Sequence, residues 1–304
     1  MSNGRLPLFF CDHYPLPLPE GHKFPVAKYR MVRELLRGDE RFELQEAPLA
    51  TEQDLRRVHT EAYVRGFIDG TLDRGVVRRI GFPWSDGLVK RTLASAGGTL
   101  AATRKALETG FGGALAGGTH HAFRDEGSGF CVFNDLAVAA EWARQCGGVR
   151  RIAIVDLDVH QGDGTASIFA NDEGVFTLSL HGARNFPFRK QRSRLDVEFA
   201  DGAQGEQYFP ALNDGLEQVW RFGPELILYQ SGVDGLATDR LGRLSLTLGD
   251  LELRDQIVFG GALRRGLPIA VTMGGGYSEP VELTAEAHAQ TFRTVAGVFT
   301  KAGA

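Results

Sequence analysis

Short apolar runs and amphipathic stretches alternate along almost the whole chain. Leu6 to Phe10, Ala114 to Gly118, Ile152 to Val155, Val175 to His181, Glu225 to Tyr229 and Pro268 to Met273 are runs in which neighbouring positions are apolar. That pattern predicts strands buried on both faces. Between them, Val26 to Leu36 places Tyr29, Val32, Leu35 and Leu36 at helical spacing, and Thr51 and Glu61 open two shorter helical patterns around His59. Asp86 is a plausible cap for a long helix toward Gly110, in which Gly97 and Gly98 either weaken the helix or permit close packing. Further helices are predicted over Asp135 to Gln145 (capped by Asn134), Thr165 to Ala170, Tyr208 to Val219, Leu251 to Leu263 and Pro280 to Phe299.

This alternation predicts a doubly wound α/β unit around one mostly parallel sheet, spanning residues 1–304 without a linker or repeat. Two segments fall outside it. The proline-rich stretch around Pro15, Pro17, Pro19 and Pro25, which also holds His13 and His22, is a loop. Gly182 to Gly205 reads as a long irregular segment carrying Phe186, Phe188 and the basic run Arg189, Lys190, Arg192 and Arg194, either a solvated face or a guide for an anionic partner. Gly81 to Trp84, GFPW, is an aromatic loop that serves as a pocket lip or a buried corner.

The polar residues gather where strands end. Arg151 to Thr165 reads RIAIVDLDVHQGDGT, so Asp156, Asp158 and His160 leave one strand on one face while Leu157 and Val159 take the other. Acids at a strand end serve turns and helix caps as well as metals. Three other exits carry Thr119, His120 and His121, then Gln230 to Asp234 (QSGVD), then Gly274 to Tyr277 (GGGY). In a parallel sheet all four lie at the carboxyl edge, where open α/β sheets keep their ligands.

Composition narrows the classes. The 304 residues are 43% hydrophobic and 24% charged, with a net charge of -4. A basic footprint for nucleic acid is missing, and no run of 18 apolar residues marks a membrane span. Cys11, Cys131 and Cys146 are too few for a disulfide framework, which predicts a reducing, cytoplasmic setting.

Asp158, His160 and Asp234 together offer two carboxylates and one imidazole, a three-donor metal site with positions left for water and substrate. A metal there would polarise an amide carbonyl and acidify a water, while a histidine moves its proton to the leaving amine. A tyrosine hydroxyl held by glycines can donate to the developing oxyanion, worth about 3 kcal/mol where such donors have been removed. No Ser or Cys nucleophile is needed, and Cys131 in an apolar setting reads as packing.

GGTHHAF, GSGFCVFND, IVDLDVHQGDGT, QSGVDGLATDRLG and GGGY, in this order over most of the chain, resemble the histone deacetylase superfamily. The resemblance implies the three-layer α/β/α arginase/deacetylase fold with a central, mostly parallel eight-stranded sheet. It implies a catalytic metal, Zn2+ with Fe2+ as alternative, on Asp158, His160 and Asp234. Tyr277 would be the oxyanion donor, His121 the general base and acid paired with Asp163, and His120 its electrostatic neighbour paired with Asp156. A structural K+ would be held by Asp156 and Ser179 side chains and by carbonyls of Asp158, His160 and Leu180. An acyl-lysine tunnel would be lined by Gly129, Phe130, Leu241, Gly275 and one of Phe186 and Phe188. An apolar Leu241 stands where polyamine-specific relatives carry an acid. His160 followed by Gln161 is similar to the class IV branch and its bacterial relatives.

Three functions are therefore expected in competition. One is a metal-dependent lysine deacylase acting on acyl-lysine proteins or peptides. Another is an amidohydrolase of acetylated polyamines or other small acylated amines. The third is a module that binds acyl groups without cleaving them.

Overall fold

The computed structural model describes residues 4–303, so residues 1–3 and 304 of the expected unit lie outside the described residues. In chain order, β1 (Leu6–Phe10), α1 (Ala27–Leu36) and β2 (Phe42–Glu46) precede α2 (Glu52–Leu55), α3 (Glu61–Ile68), α4 (Arg74–Ile80) and α5 (Asp86–Thr109). β3 (Phe111–Ala114), α6 (Asp135–Cys146), β4 (Ile152–Asp156), α7 (Asp163–Ile168) and β5 (Val175–Gly182) follow. The chain ends with β6 (Leu195–Phe199), α8 (Gly205–Phe222), β7 (Leu226–Gln230), α9 (Leu248–Arg264), β8 (Ile269–Thr272) and α10 (Val281–Gly303).

The strands form one eight-stranded sheet in the order β2-β1-β3-β8-β7-β4-β5-β6. All its pairings are parallel. Alternate residues of the central strands feed two cores, one on each face. Ala153, Val155, Ile227 and Tyr229 pack with α1, α8, α9 and α10 residues such as Val32, Leu212, Val258 and Phe292. Ile152, Ile154, Leu226 and Leu228 pack with Val64, Phe67, Leu136 and Ala140 of α3 and α6. Full burial of each branched side chain contributes about 1.5–3 kcal/mol, so the central strands are fixed in register by their own sequence. This is the three-layer α/β/α architecture. Among the described residues, no helix is long and apolar enough to cross a membrane.

Several boundaries differ from the reading of the sequence. The third strand is Phe111–Ala114 rather than Ala114 to Gly118, because Leu115 to Gly118 already form the exit. The segment expected to be irregular after Gly182 contains β6, and β2 was not expected at all. Both are edge strands whose exposed positions dilute the apolar signal. Ser85, not Asp86, caps α5, its hydroxyl accepting from the Leu88 amide at 3.1 Å. Gly97 serves close packing: a Cβ there would overlap the Pro48 carbonyl and sit 2.7 Å from the Ala50 nitrogen. Of the basic run, Lys190 donates to carbonyls of Asn185 and Pro187, and Arg194 lies over Phe176 and Phe222, so only part of it is a solvated face.

Candidate active site

Parallel pairing brings the four polar exits to one edge, and backbone contacts knit them together. Gly118 and Gly274 approach so closely that a Cβ on Gly118, which has φ 73°, would lie 2.7 Å from Gly274 Cα. Asp135, at the start of α6, accepts from the amides of Gly118 (3.0 Å) and Thr119 (2.7 Å), which fixes the turn that delivers the paired histidines. Asn134 caps α6 and donates to the Ala122 carbonyl (3.1 Å) and to Thr165 Oγ1 (3.0 Å).

Behind Asn134 stands His59, which accepts from the Asn134 amide at 2.9 Å. Burial pushes His59 down from 6.5 to about 4. The native state therefore prefers the neutral ring, and this contribution is full above pH 6.5 and lost as pH falls toward 4. Between pH 7 and pH 5 the loss should be about 2 kcal/mol. Denaturant titrations at the two pH values are expected to show a smaller decline in His59→Gln than in the parent chain; equal declines would refute the assignment.

Asp158, His160 and Asp234 converge, with their candidate donor atoms all within 4.8 Å of one another. His160 Nδ1 lies 3.0 Å from both Asp158 Oδ1 and Asp234 Oδ2. The outer positions of the carboxylates are held by backbone amides, Gly275 N to Asp158 Oδ2 at 2.7 Å and Val159 N to Asp234 Oδ1 at 2.9 Å. Gly275 has to be glycine, since a Cβ would crowd both Asp234 and Asp158.

The electrostatics favour a cation at this point. Burial and then the Asp158 charge push Asp234 up to about 7. Burial lowers His160, but hydrogen bonds to Asp158 and Asp234 outweigh it and raise the ring to about 10. Two buried carboxylates with one imidazole thus attract positive charge, and the hard oxygen and borderline nitrogen donors fit a divalent ion such as zinc or ferrous iron.

Each of the two histidines meets a carboxylate. His120 Nδ1 meets Asp156 Oδ2 and His121 Nδ1 meets Asp163 Oδ1, each at 2.7 Å. Their environments separate them. Burial lowers His120, yet Asp156 and Asp158 overcome it and raise it to about 9. Burial, reinforced by the His120 charge and only partly opposed by Asp163, takes His121 down to about 4. At neutral pH His120 is charged and His121 is a free base with Nε2 unengaged by Asp163. Asp156 also stands opposite Ser179 across the β4 and β5 pairing, and Ser179 Oγ lies 2.9 Å from His181 Nδ1. Leu180 is buried on the same strand.

A cavity of about 720 Å³ reaches this cluster from the surface. Gly129, Phe130, Phe186, Leu241, Gly275, Tyr277, His121, Asp158 and His160 share its wall. The two phenylalanines part company: Phe186 packs edge-on against His121 with ring centroids 4.9 Å apart, whereas Phe188 is 88% exposed at the rim. Gly81 and Phe82 line the cavity, while Trp84 turns its indole to the Phe67 carbonyl, so GFPW is both lip and corner. Burial, then Tyr29, pushes the Tyr277 hydroxyl well above its usual range, and it keeps its proton. Cys131 is buried beside the cavity and burial holds its thiol protonated.

Some participants were not picked out in the sequence. Lys28, on α1, is buried and donates to the carbonyls of Gly274 (3.1 Å) and Gly276 (3.4 Å), with its ammonium 5.4 Å from the Tyr277 ring centre. Asp239 accepts from the Tyr277 amide at 2.6 Å and from the Leu241 amide at 2.8 Å, joining the tyrosine to the rim. Gln161 binds Gln191 and Asp196, securing the loop after β5 instead of touching the acidic cluster. A lysine in an amphipathic helix carries no mark of such burial; the DRLG sequence around Asp239 was the available signal.

Comparison with known proteins agrees with this geometry. Residues 22–295 match the histone deacetylase domain model. An uncharacterised protein of Picosynechococcus is 42% identical over 96% of this chain and 99% of its own length. A histone deacetylase-like amidohydrolase of Pseudomonas aeruginosa is 32% identical over 86% of this chain and 74% of its own. A crystal structure of a histone deacetylase homologue complexed with SAHA superposes with a TM-score of 0.82 at 26% identity, covering 96% of this chain and 84% of that one. Taken with a parallel eight-stranded sheet that carries paired histidines and an Asp-His-Asp cluster at its carboxyl edge, these matches mean that the chain belongs to the histone deacetylase superfamily.

Proposed function

We propose that this chain is, as one catalytic unit, a metal-dependent lysine deacylase of the cytoplasm, cleaving the amide of acyl-lysine in a peptide or protein. The observation that carries the reading is that His121, Asp158, His160 and Tyr277 share the wall of one cavity. Asp158, His160 and Asp234 would hold the ion, zinc or ferrous iron, and Asp156 and Ser179 would contribute to a K+ site. When bound, a divalent ion there would supply Lewis acidity, polarising the scissile carbonyl and acidifying a water. His121, neutral at physiological pH, removes that water's proton through Nε2 and returns it to the leaving amine. Asp163 orients the ring and stabilises the imidazolium that forms. His120, held charged by Asp156, discourages a lasting charge on His121. The protonated Tyr277 hydroxyl donates to the carbonyl oxygen as negative charge builds there.

Leu241 and the rim disfavour a polyamine. Among the described residues, the exposed charged side chains of the cavity wall are Arg79, Arg184 and Arg243, each paired with Glu126 or Asp201, so the wall itself presents no exposed carboxylate to receive a second ammonium. Purified chain loaded with zinc, ferrous iron or cobalt is expected to turn over acyl-lysine peptides, acetyl through myristoyl, at least tenfold faster than N-acetylated spermidine. Faster turnover of acetylspermidine would replace this reading with the polyamine one. Peptide binding with no product in any metal would replace it with a binding module.

A further inference from the structure

Arg254 lies in the middle of α9 and is 1% exposed, although no part of the chemistry above uses it. Burying a guanidinium is expensive, and a pair of apolar side chains of similar volume commonly fills such a place at no loss of stability. Its contacts suggest why a charge is there. Nη1 donates to the Gly232 carbonyl at 2.5 Å and reaches the Leu157 carbonyl at 3.5 Å. Leu157 immediately precedes Asp158, and its carbonyl belongs to the same peptide unit as the Asp158 amide. Gly232 lies two residues before Asp234. One planar group therefore holds the backbone of both exits that deliver the candidate metal donors.

The connection extends to the glycine loop. The amide of the same peptide unit as the Gly232 carbonyl, Val233 N, donates to the Gly275 carbonyl at 2.9 Å, and Gly275 N in turn donates to Asp158 Oδ2 at 2.7 Å. Gly232 packs so tightly on Asp158 that a Cβ would come 2.7 Å from its Cα. The guanidinium is itself immobilised. Nε donates to Asp255 Oδ1 at 2.9 Å, and Asp255 accepts from Tyr229 Oη (2.5 Å) and Thr291 Oγ1 (2.6 Å), which ties α9 to β7 and α10.

We infer that Arg254 is a positioning residue for the metal site, setting the separation of Asp158 and Asp234 by bracing the carbonyls of Leu157 and Gly232. The inference rests on the metal reading of the proposed function. Losing a group that orients metal ligands typically costs 10–100-fold in affinity. Arg254 uses two nitrogens of one rigid plane, Nε on Asp255 and Nη1 on the two carbonyls, where a flexible Lys offers only one.

The test uses the full chain with Co2+ as probe, following affinity by chelator competition and ligand geometry by visible absorption, with circular dichroism reporting the fold. In folded Arg254→Met, Co2+ affinity should fall 10–100-fold and the absorption band should change shape, with Arg254→Lys intermediate. Parent affinity and an unchanged band in folded Arg254→Met would overturn the inference. Should that variant not fold, Asp255→Asn and Thr291→Val loosen the guanidinium without removing it. An altered band in them supports the inference and an unchanged one overturns it. A parent chain that binds no Co2+ overturns the metal reading itself, and the inference falls with it.

Discussion

His121→Ala combined with Tyr277→Phe should reduce kcat on an acyl-lysine peptide by at least a thousandfold while leaving metal stoichiometry intact. The size follows from the role proposed for each group. A positioned general base contributes about 10²–10⁴, and one oxyanion donor about 10²–10³. Both are proposed to act on the same transition state, so the double variant should lose less than the product of the two single losses. Metal content should stand because neither side chain belongs to the Asp158, His160 and Asp234 cluster. Steady-state rates beside metal analysis decide it. Full activity in the double variant would remove His121 and Tyr277 from the mechanism, and rate loss accompanied by metal loss would make their role structural.

The same residues show what a sequence discloses. β4, β5, β7 and β8 are buried on both faces, so their apolar runs announce them and the polar residues at their ends follow. β2 (FELQE) and β6 (LDVEF) are edge strands with charges on their outer positions, and local pattern cannot separate them from loop. β3 (FGGA) hides for a different reason. Gly112 and Gly113 lack side chains because Ala102 of α5 and Leu8 of β1 occupy that space, a constraint set by distant neighbours. Candidate site residues were readable as motifs because several sat on one short segment. Lys28 and Arg254 were not, since a buried cation in a helix has the same local sequence as a solvated one. Which phenylalanine faces the histidines was also beyond local pattern, because Phe186 and Phe188 differ only in the path of the loop.

Asp158→Ala and Asp163→Asn lie only five positions apart yet should fail in different ways. Asp158 supplies one of the candidate donors, and its carboxylate also accepts from the amides of His160 (2.9 Å) and Gly275 (2.7 Å). Without it two donors remain, and metal binding should be abolished together with turnover. The chain need not become less stable: removing Asp158 relieves the repulsion that, after burial, raises Asp234 to about 7. Among the described residues, the Asp163 carboxylate meets the site at His121 Nδ1, at 2.7 Å. An asparagine there can present its amide hydrogen to Nδ1, which moves the ring proton to Nε2 and blocks the nitrogen proposed as the base. An analogous tautomer change in a Ser-His-Asp enzyme lowers kcat about 10⁴-fold, so a loss of about 10²–10⁴ is expected here while metal stays bound. Metal added at 100 times its Kd should stabilise the native state by about 2.7 kcal/mol. Thermal melts should therefore show the metal-induced rise in Tm for the parent chain and for Asp163→Asn, and no rise for Asp158→Ala. Equal loss of the rise in both variants would show that Asp163 supports the ion, and the division of labour between the two aspartates would have to be redrawn.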